Sequence, residues 1–138
     1  MLLSSNAILC DIDGTLALGV DRSPYDFTKC RHDLINKPVL SVLRKYIDTT
    51  AVILITAREW KYHELTQDWL FWHDVPYDNL IMRPDNNKTG DDLLKKHLYE
   101  VHVKGKYNIL FVLDDRDRVV KMWREEGLAC FQVNYGDF

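Results

Sequence analysis

Two aspartates two residues apart, in Asp11-Ile12-Asp13-Gly14-Thr15, close an apolar run, Ala7-Ile8-Leu9-Cys10. The run has the composition of a buried strand. A carboxylate at the end of such a strand needs a cation or hydrogen-bond donors to offset its desolvation. A second acidic pair, Asp114-Asp115, ends a second apolar run, Ile109-Leu110-Phe111-Val112-Leu113. If the two strands are neighbours in a parallel sheet, four carboxylates meet at its carboxyl edge, where open α/β sheets bind ligands. Their mutual repulsion calls for a divalent ion, and oxygen-only ligands favour Mg²⁺ over zinc.

The elements that must position these groups are marked by hydrophobic period and by breakers. After the first strand comes a polar stretch, residues 17–36, whose Tyr25 and Phe27 show no sustained period; it is expected to form a short flap. Asn36 caps a helix with Pro38 in its first turn and Val39, Val42, Leu43 and Tyr46 on one face. A strand at 51–55 follows, then a helix over 60–73 with Tyr62, Leu65, Trp69 and Trp72 in one stripe, stopped by Asp74-Val75-Pro76. Core packing, rather than base stacking, is expected of Trp60, Tyr62, Trp69 and Trp72, with Phe71 off the stripe.

A short strand at 80–82 precedes Thr89-Gly90-Asp91-Asp92, which has the spacing of a capping box, and Leu94, Leu98 and Val101 then mark a helical face. The strand at 108–113 leads into a helix over 116–126 carrying Val119, Val120 and Trp123. Gly127 stops it, and a last strand covers 129–133. Strand and helix alternate throughout, which predicts a doubly wound α/β fold: a parallel sheet with right-handed crossovers and helices on both faces. Strands ending at Asp13, Thr56 and Asp114 would each deliver a polar residue to the same edge.

With 138 residues, of which 46% are hydrophobic, the sequence has room for one domain, 1–138, and one core. The opening Met1-Leu2-Leu3-Ser4-Ser5-Asn6 lacks a basic flank, and no segment approaches the ~20 apolar residues of a membrane span, so a soluble, cytoplasmic protein without a membrane partner is expected. Cys10, Cys30 and Cys130 are odd in number and lack zinc-site spacing; they read as free thiols, with Cys10 and Cys130 buried in strands. A net charge of −3 argues against a protein that coats nucleic acid through a broad basic surface, but not against recognition of a strand end. Arg22, Arg58, Arg83, Lys88 and Lys95 fall near strand ends or loops and can form a local basic rim. The five histidines form no ligand set.

The ordered set Asp11-Ile12-Asp13-Gly14-Thr15, Thr56, Lys95 and Asp114-Asp115 resembles the four motifs of the haloacid dehalogenase superfamily of phosphohydrolases. Within it the chain is similar, nearly end to end, to the phosphatase domain of bacteriophage polynucleotide kinase/3′-phosphatase. The similarity is carried by Arg22-Ser23-Pro24-Tyr25-Asp26, Thr56-Ala57-Arg58-Glu59, Asp91-Asp92-Leu93-Leu94-Lys95, Leu113-Asp114-Asp115-Arg116, Met122-Trp123-Arg124 and Gly136-Asp137-Phe138. No Gly-x-x-x-x-Gly-Lys-Ser/Thr loop stands in the sequence, so the kinase half has no counterpart in it.

The resemblance implies Asp11 as nucleophile, forming an aspartyl phosphate, and Asp13 as general acid and base. It implies Mg²⁺ bridging Asp11, the Asp13 backbone carbonyl, Asp115 and a phosphate oxygen, with Asp114 supporting that shell. Thr56 would donate to the phosphoryl group and Lys95 would neutralise its charge. Arg22 and Arg58 would hold the phosphate or adjoining nucleotide, and Asp91 would orient Lys95 one helical turn away. Arg83 and Lys88 extend the rim.

The space between the first motif and the next helix admits no large cap domain, which suits the end of a polymer. The expected substrate is therefore a terminal 3′ phosphate of DNA or RNA, with a separate polynucleotide kinase or ligase as partner. Three alternatives use the same residues: a mononucleotide or small-molecule phosphatase, a phosphoacceptor signalling domain, and a catalytically silent end-binding module. The Asp-x-Asp spacing and Lys95 speak against the second, and the intact acidic set against the third.

Overall fold

The computed structural model describes residues 5–20 and 22–138; residues 1–4 and position 21 of the flap lie outside it, so the expectation drawn from Met1-Leu2-Leu3-Ser4 does too. The elements run β1 (Ser5–Cys10), β2 (Ala17–Leu18), a 3₁₀ turn (Phe27–His32), β3 (Leu34–Ile35), α1 (Lys37–Tyr46), β4 (Ala51–Glu59), a 3₁₀ turn (Trp60–Tyr62) and α2 (His63–Trp72). β5 (Asn79–Arg83), α3 (Asp91–His102), β6 (Tyr107–Asp114), α4 (Asp117–Glu125) and β7 (Cys130–Gln132) complete the chain. Five strands pair in parallel in the order β5-β4-β1-β6-β7. This is the doubly wound sheet that the alternation predicts.

β1 is central because both its faces are apolar. Ile8 and Cys10 enter one core with Val39, Leu40 and Leu43 of α1 and Trp69 and Leu70 of α2. Ala7 and Leu9 enter the other with Leu94, Leu98 and Tyr99 of α3 and Val119, Val120 and Trp123 of α4. Helices therefore cover both faces. The neighbours β4 and β6 flank β1, so that Asp11 falls beside the end of β6, where its backbone N–H donates to the Leu113 carbonyl at 2.9 Å. All three cysteines are buried and free.

The flap is more ordered than its sequence suggests. β2 and β3 pair antiparallel in a two-residue ribbon, and the 3₁₀ turn between them buries Cys30. The Asn36 side chain, expected to cap α1, instead donates to the Thr15 carbonyl at 2.8 Å, tying the flap's end to the acidic turn. The expected capping box at 89–92 does not form, and Gly90 takes the cap position without a side-chain bond.

The stripe expected on α2 is rotated. Trp69 is buried, but Trp60 is 49% exposed and Phe71 and Trp72 are each 81% exposed. The buried face is Thr66, Trp69 and Leu70. Two polar contacts fix that rotation: Trp69 Nε1 donates to the Asp33 carbonyl at 2.9 Å, and Arg58 donates to Thr66 Oγ1 at 3.1 Å. On α3 Tyr99 takes the buried place expected of Val101, which is half exposed.

After β7, residues 133–138 fold back over the acidic edge. Val133 N–H donates to the Asp114 carbonyl, Asp117 N–H to the Gly136 carbonyl, and Gln132 Nε2 to the Asp115 carbonyl. Gly136 is buried so closely on the backbone of Asp115 and Arg116 that a Cβ would overlap both. Gly136→Ala should therefore cost about 1–3 kcal/mol of unfolding free energy, in the range for overpacking, and shift the Asp115 loop. A denaturant melt unchanged from the parent would show that the segment does not press on that loop.

Candidate active site

Asp11 leaves β1 into a tight turn, with Gly14 N–H donating to the Ala17 carbonyl at 2.8 Å and both Leu16 and Ala17 N–H to the Ile12 carbonyl at 2.9 Å. Gly14 has φ +84°, and a Cβ there would overlap the Asp115 carboxylate, so both the turn and the approach of Asp115 need glycine. Thr15 Oγ1 reaches Asp11 Oδ2 at 3.0 Å and Asp115 Oδ1 at 3.3 Å. Lys95, in the second turn of α3, donates to Asp11 Oδ1 at 2.7 Å and to Asp114 Oδ2 at 3.0 Å. Asp114 is satisfied further by Trp123 Nε1 at 3.1 Å and by the Asp115 N–H at 2.8 Å.

Burial alone would pull the Lys95 ammonium down, but Asp11 and Asp114 outweigh it and hold the group charged. Burial pushes the Asp11 carboxyl well above the usual carboxylate range, and the nearby Asp114 adds to it, against the pull of Lys95. Asp115 is raised chiefly by burial as well. Burial, then Asp11, also raise the Cys10 thiol, which keeps it an inert core residue.

Asp11, Asp114 and Asp115 offer oxygens within 4.8 Å of one another. Three carboxylates facing one ammonium leave two negative charges, which a divalent cation matches. Because Asp114 already accepts from Lys95, Trp123 and a backbone N–H, Asp11 and Asp115 are the carboxylates with capacity left for an ion. The donors are oxygens, as a hard cation prefers. The residues present therefore fit Mg²⁺.

A second charge cluster adjoins the first. Asp13 accepts from Arg58 Nε at 2.8 Å and Nη2 at 2.7 Å, and from Arg22 Nη2 at 3.1 Å. Arg22 is held from behind by Asp33, through Nε at 2.8 Å and Nη2 at 2.9 Å, and Arg58 approaches the same carboxylate at 3.4 Å. The Asp33 bond leads in raising Arg22; burial works against Arg58, but Asp13 more than compensates. Phe27 lies beneath both guanidiniums, at 5.5 Å from Arg22 and 5.3 Å from Arg58. The Asp13 side chain keeps 30% exposure while that of Asp11 keeps 6%, so Asp13 is the carboxylate more open to solvent.

Asp33 is the residue that sequence reasoning misses. It is one acid in a polar stretch, and its partners stand 11 and 25 residues away, so no local pattern marks it. Asp91 takes a different partner from the one expected. Its carboxylate joins Arg83 at 2.8 Å and Arg116 at 2.6 Å rather than Lys95. Thr56 is fully buried and accepts from the Arg58 N–H at 3.1 Å. Arg58, also fully buried, turns its guanidinium onto Asp13 and Thr66.

A cavity of about 890 Å³ brings together Asp11, Asp13, Arg22, Lys95, Asp114 and Asp115, with Arg83, Lys88, Asp91 and Arg116 around it. Neither Thr56 nor Arg58 lines it. A buried carboxylate, a more open carboxylate, an ammonium and a cation-ready acidic pair on one cavity have the parts for phosphoryl transfer to and from an aspartate.

Residues 5–138 match the family model described as the polynucleotide kinase PNKP phosphatase domain. The chain belongs to that family. It is thus a haloacid dehalogenase-type phosphatase domain, a phosphomonoesterase by family. A protein of Autographa californica nuclear polyhedrosis virus, described as a bifunctional polynucleotide kinase/RNA ligase, is 35% identical over 124 residues, 86% of this chain and 18% of the viral protein. Chains in two structures of a Pnkp1/Rnl/Hen1 complex, one described as an RNA repair complex, are 44% identical with a TM-score of 0.95 over 98% of this chain. The chain spans less than half of those relatives, 44% and 48% of the two complex chains. A hydrolase of Streptococcus pneumoniae TIGR4, 10% identical with a TM-score of 0.63 over 96% of this chain and 95% of that one, shares the fold.

The raised Asp11 carboxyl has a thermodynamic consequence. A carboxyl raised in the folded state holds a proton that the unfolded chain has lost, so its contribution is present at low pH and vanishes as pH rises through the folded value. In chelator, Asp11→Asn should melt above the parent near neutral pH, and the gap should narrow toward about pH 5. A gap that widens on acidification would contradict a burial penalty on Asp11 that outweighs its bond to Lys95.

Proposed function

We propose that the chain is a Mg²⁺-dependent polynucleotide 3′-phosphatase that removes terminal 3′ phosphates from RNA or DNA through an aspartyl phosphate on Asp11. The observation that carries this reading is the convergence of Asp11, tethered by Lys95, and the more open Asp13 on a cavity bordered by the short β2–β3 flap and by residues 133–138, with no cap domain among the described residues. A site with no cap domain admits the end of a polymer.

Asp11 Oδ attacks phosphorus in line, forming its O–P bond as the bond to the sugar oxygen breaks. Asp13, once it has taken up a proton, gives it to that departing oxygen, then takes one from the water that attacks phosphorus and releases Asp11 with inorganic phosphate, which leaves Asp13 protonated for the next turnover. Lys95 spends two donors on Asp11 and Asp114, leaving the third N–H of its ammonium for a phosphoryl oxygen. Mg²⁺, held by Asp11, the Asp13 carbonyl and Asp115, would screen the anionic nucleophile from the anionic substrate. Thr56 and Arg58 act together by fixing Asp13. Arg22 reaches the cavity directly, and Asp91 serves the substrate through Arg83 and Arg116.

The RNA repair complex and the kinase/RNA ligase among the relatives support RNA ends as substrate and a polynucleotide kinase or ligase as partner. No described helix is long and apolar enough to cross a membrane, and a cytoplasmic location belongs to the same reading.

Two assays test it. With Mg²⁺, a 3′-phosphorylated oligonucleotide should be dephosphorylated at least about tenfold faster than its 5′-phosphorylated isomer or a nucleoside monophosphate, a discrimination of about 1.4 kcal/mol. Equal rates would make the chain a general phosphatase. Chelator should abolish turnover, and Asp115→Ala should raise the Mg²⁺ required by about tenfold or more, as loss of a direct ligand does. A Mg²⁺ titration identical to the parent's would remove Asp115 from the metal.

A further inference from the structure

Five aromatic residues line the cavity: Tyr25, Phe27, Tyr62, Tyr135 and Phe138. Three of them have partners. Phe27 lies under Arg22 and Arg58 and meets the Tyr62 ring edge-on at 5.6 Å, and Phe138 lies under Arg116 at 4.9 Å. Tyr25 and Tyr135, by contrast, have no ring, cation or side-chain hydrogen-bond partner among the described residues, and they are 72% and 95% exposed. An aromatic ring held in water beside a reaction cavity has no part in holding the fold.

Both rings are mounted on backbone that the catalytic groups hold. Tyr25 sits in a turn closed by Asp26 N–H donating to the Ser23 carbonyl at 3.0 Å. Arg22 Nη1 donates to the carbonyls of Ser23 and Pro24 in that turn, while its Nη2 reaches Asp13. Tyr135 precedes Gly136, whose backbone is pressed onto Asp115 and Arg116. The flap rests on the β4 and α2 side through Arg58 and Trp69, whereas residues 133–138 rest on the β6 and α4 side. The two tyrosines thus flank the acidic cluster from opposite sides. Lys88, Arg83 and Arg116 line the same cavity and complement a phosphodiester leading away from the reacting end.

We propose that Tyr25 and Tyr135 are stacking faces for the nucleobases at the phosphorylated end, so that the site reads a polynucleotide by its base planes as well as its phosphate. This deepens, and rests on, the 3′-phosphatase reading above. Stacking on an aromatic side chain is tolerant of base identity, so the contact would serve ends of any sequence. The other exposed aromatics, Trp60 of the 3₁₀ turn and Phe71 and Trp72 of α2, do not compete for this role, since they lie off the cavity.

The test compares a 3′-phosphorylated oligonucleotide with one whose terminal two nucleotides are abasic. The parent should show a lower KM for the base-bearing end. Tyr25→Ala with Tyr135→Ala should raise that KM by at least about fivefold, with kcat moved far less, and the preference over the abasic end should shrink toward unity. Tyr25→Phe with Tyr135→Phe, which keep the rings, should retain the preference. A double alanine variant with the parent's preference, or a phenylalanine pair that loses it, overturns the stacking role while leaving the phosphatase reading intact. A parent that hydrolyses an aryl phosphate but no oligonucleotide end overturns both.

Discussion

Carboxylates crowded together out of water are the constraint around which this molecule is arranged. Asp11, Asp114 and Asp115 come within 4.8 Å of one another because β1 and β6 are neighbours and end together. Such a cluster is destabilising unless charge and hydrogen bonds answer it. Lys95 is delivered to it by α3, Trp123 by α4 and Thr15 by the turn after β1. The compensating contacts thus come from the sheet edge and from the one helical layer, α3 and α4, that packs beside it. The balance is still negative, and that residual charge is what suits the site to a divalent ion.

The second cluster is balanced within itself. Asp13 and Asp33 face Arg22 and Arg58, two charges of each sign, with Phe27 packed beneath. The neutrality lets Arg58 be fully buried and holds Asp13 at a fixed place beside Asp11. It also explains how a chain with net charge −3 can meet a polyanion. The cations at the cavity are local, and several of them are already committed to carboxylates.

Much of this was legible before any coordinates. The central strands announced themselves by apolar runs ending in aspartates, and Gly127 stopped α4 with φ +86°. What was not legible depends on partners distant in sequence. Trp69 rather than Trp72 is buried because Asp33 captures its indole N–H, and a helical wheel cannot see that bond. Asp91 has the spacing to meet Lys95, yet arginines from β5 and from the end of β6 reach it first. The flap's ribbon is two residues long on each side, too short for alternation to show. Gly136 stands out in the sequence only as part of the resemblance carried by Gly136-Asp137-Phe138, and the press of its backbone against Asp115 and Arg116 supplies the physical reason.

The proposed reaction requires Asp11 as the nucleophile that takes up the phosphoryl group, and covalent trapping tests that most directly. Asp13→Asn supplied with an activated aryl phosphate has a leaving group that needs no proton, so the first step proceeds while the water step stalls. Acid quenching and peptide mass spectrometry should then find one phosphoryl group on the peptide bearing Asp11, released by hydroxylamine as an acyl phosphate is. Aryl alcohol release with no phosphorylated peptide, or with the label on any other residue, would contradict the account.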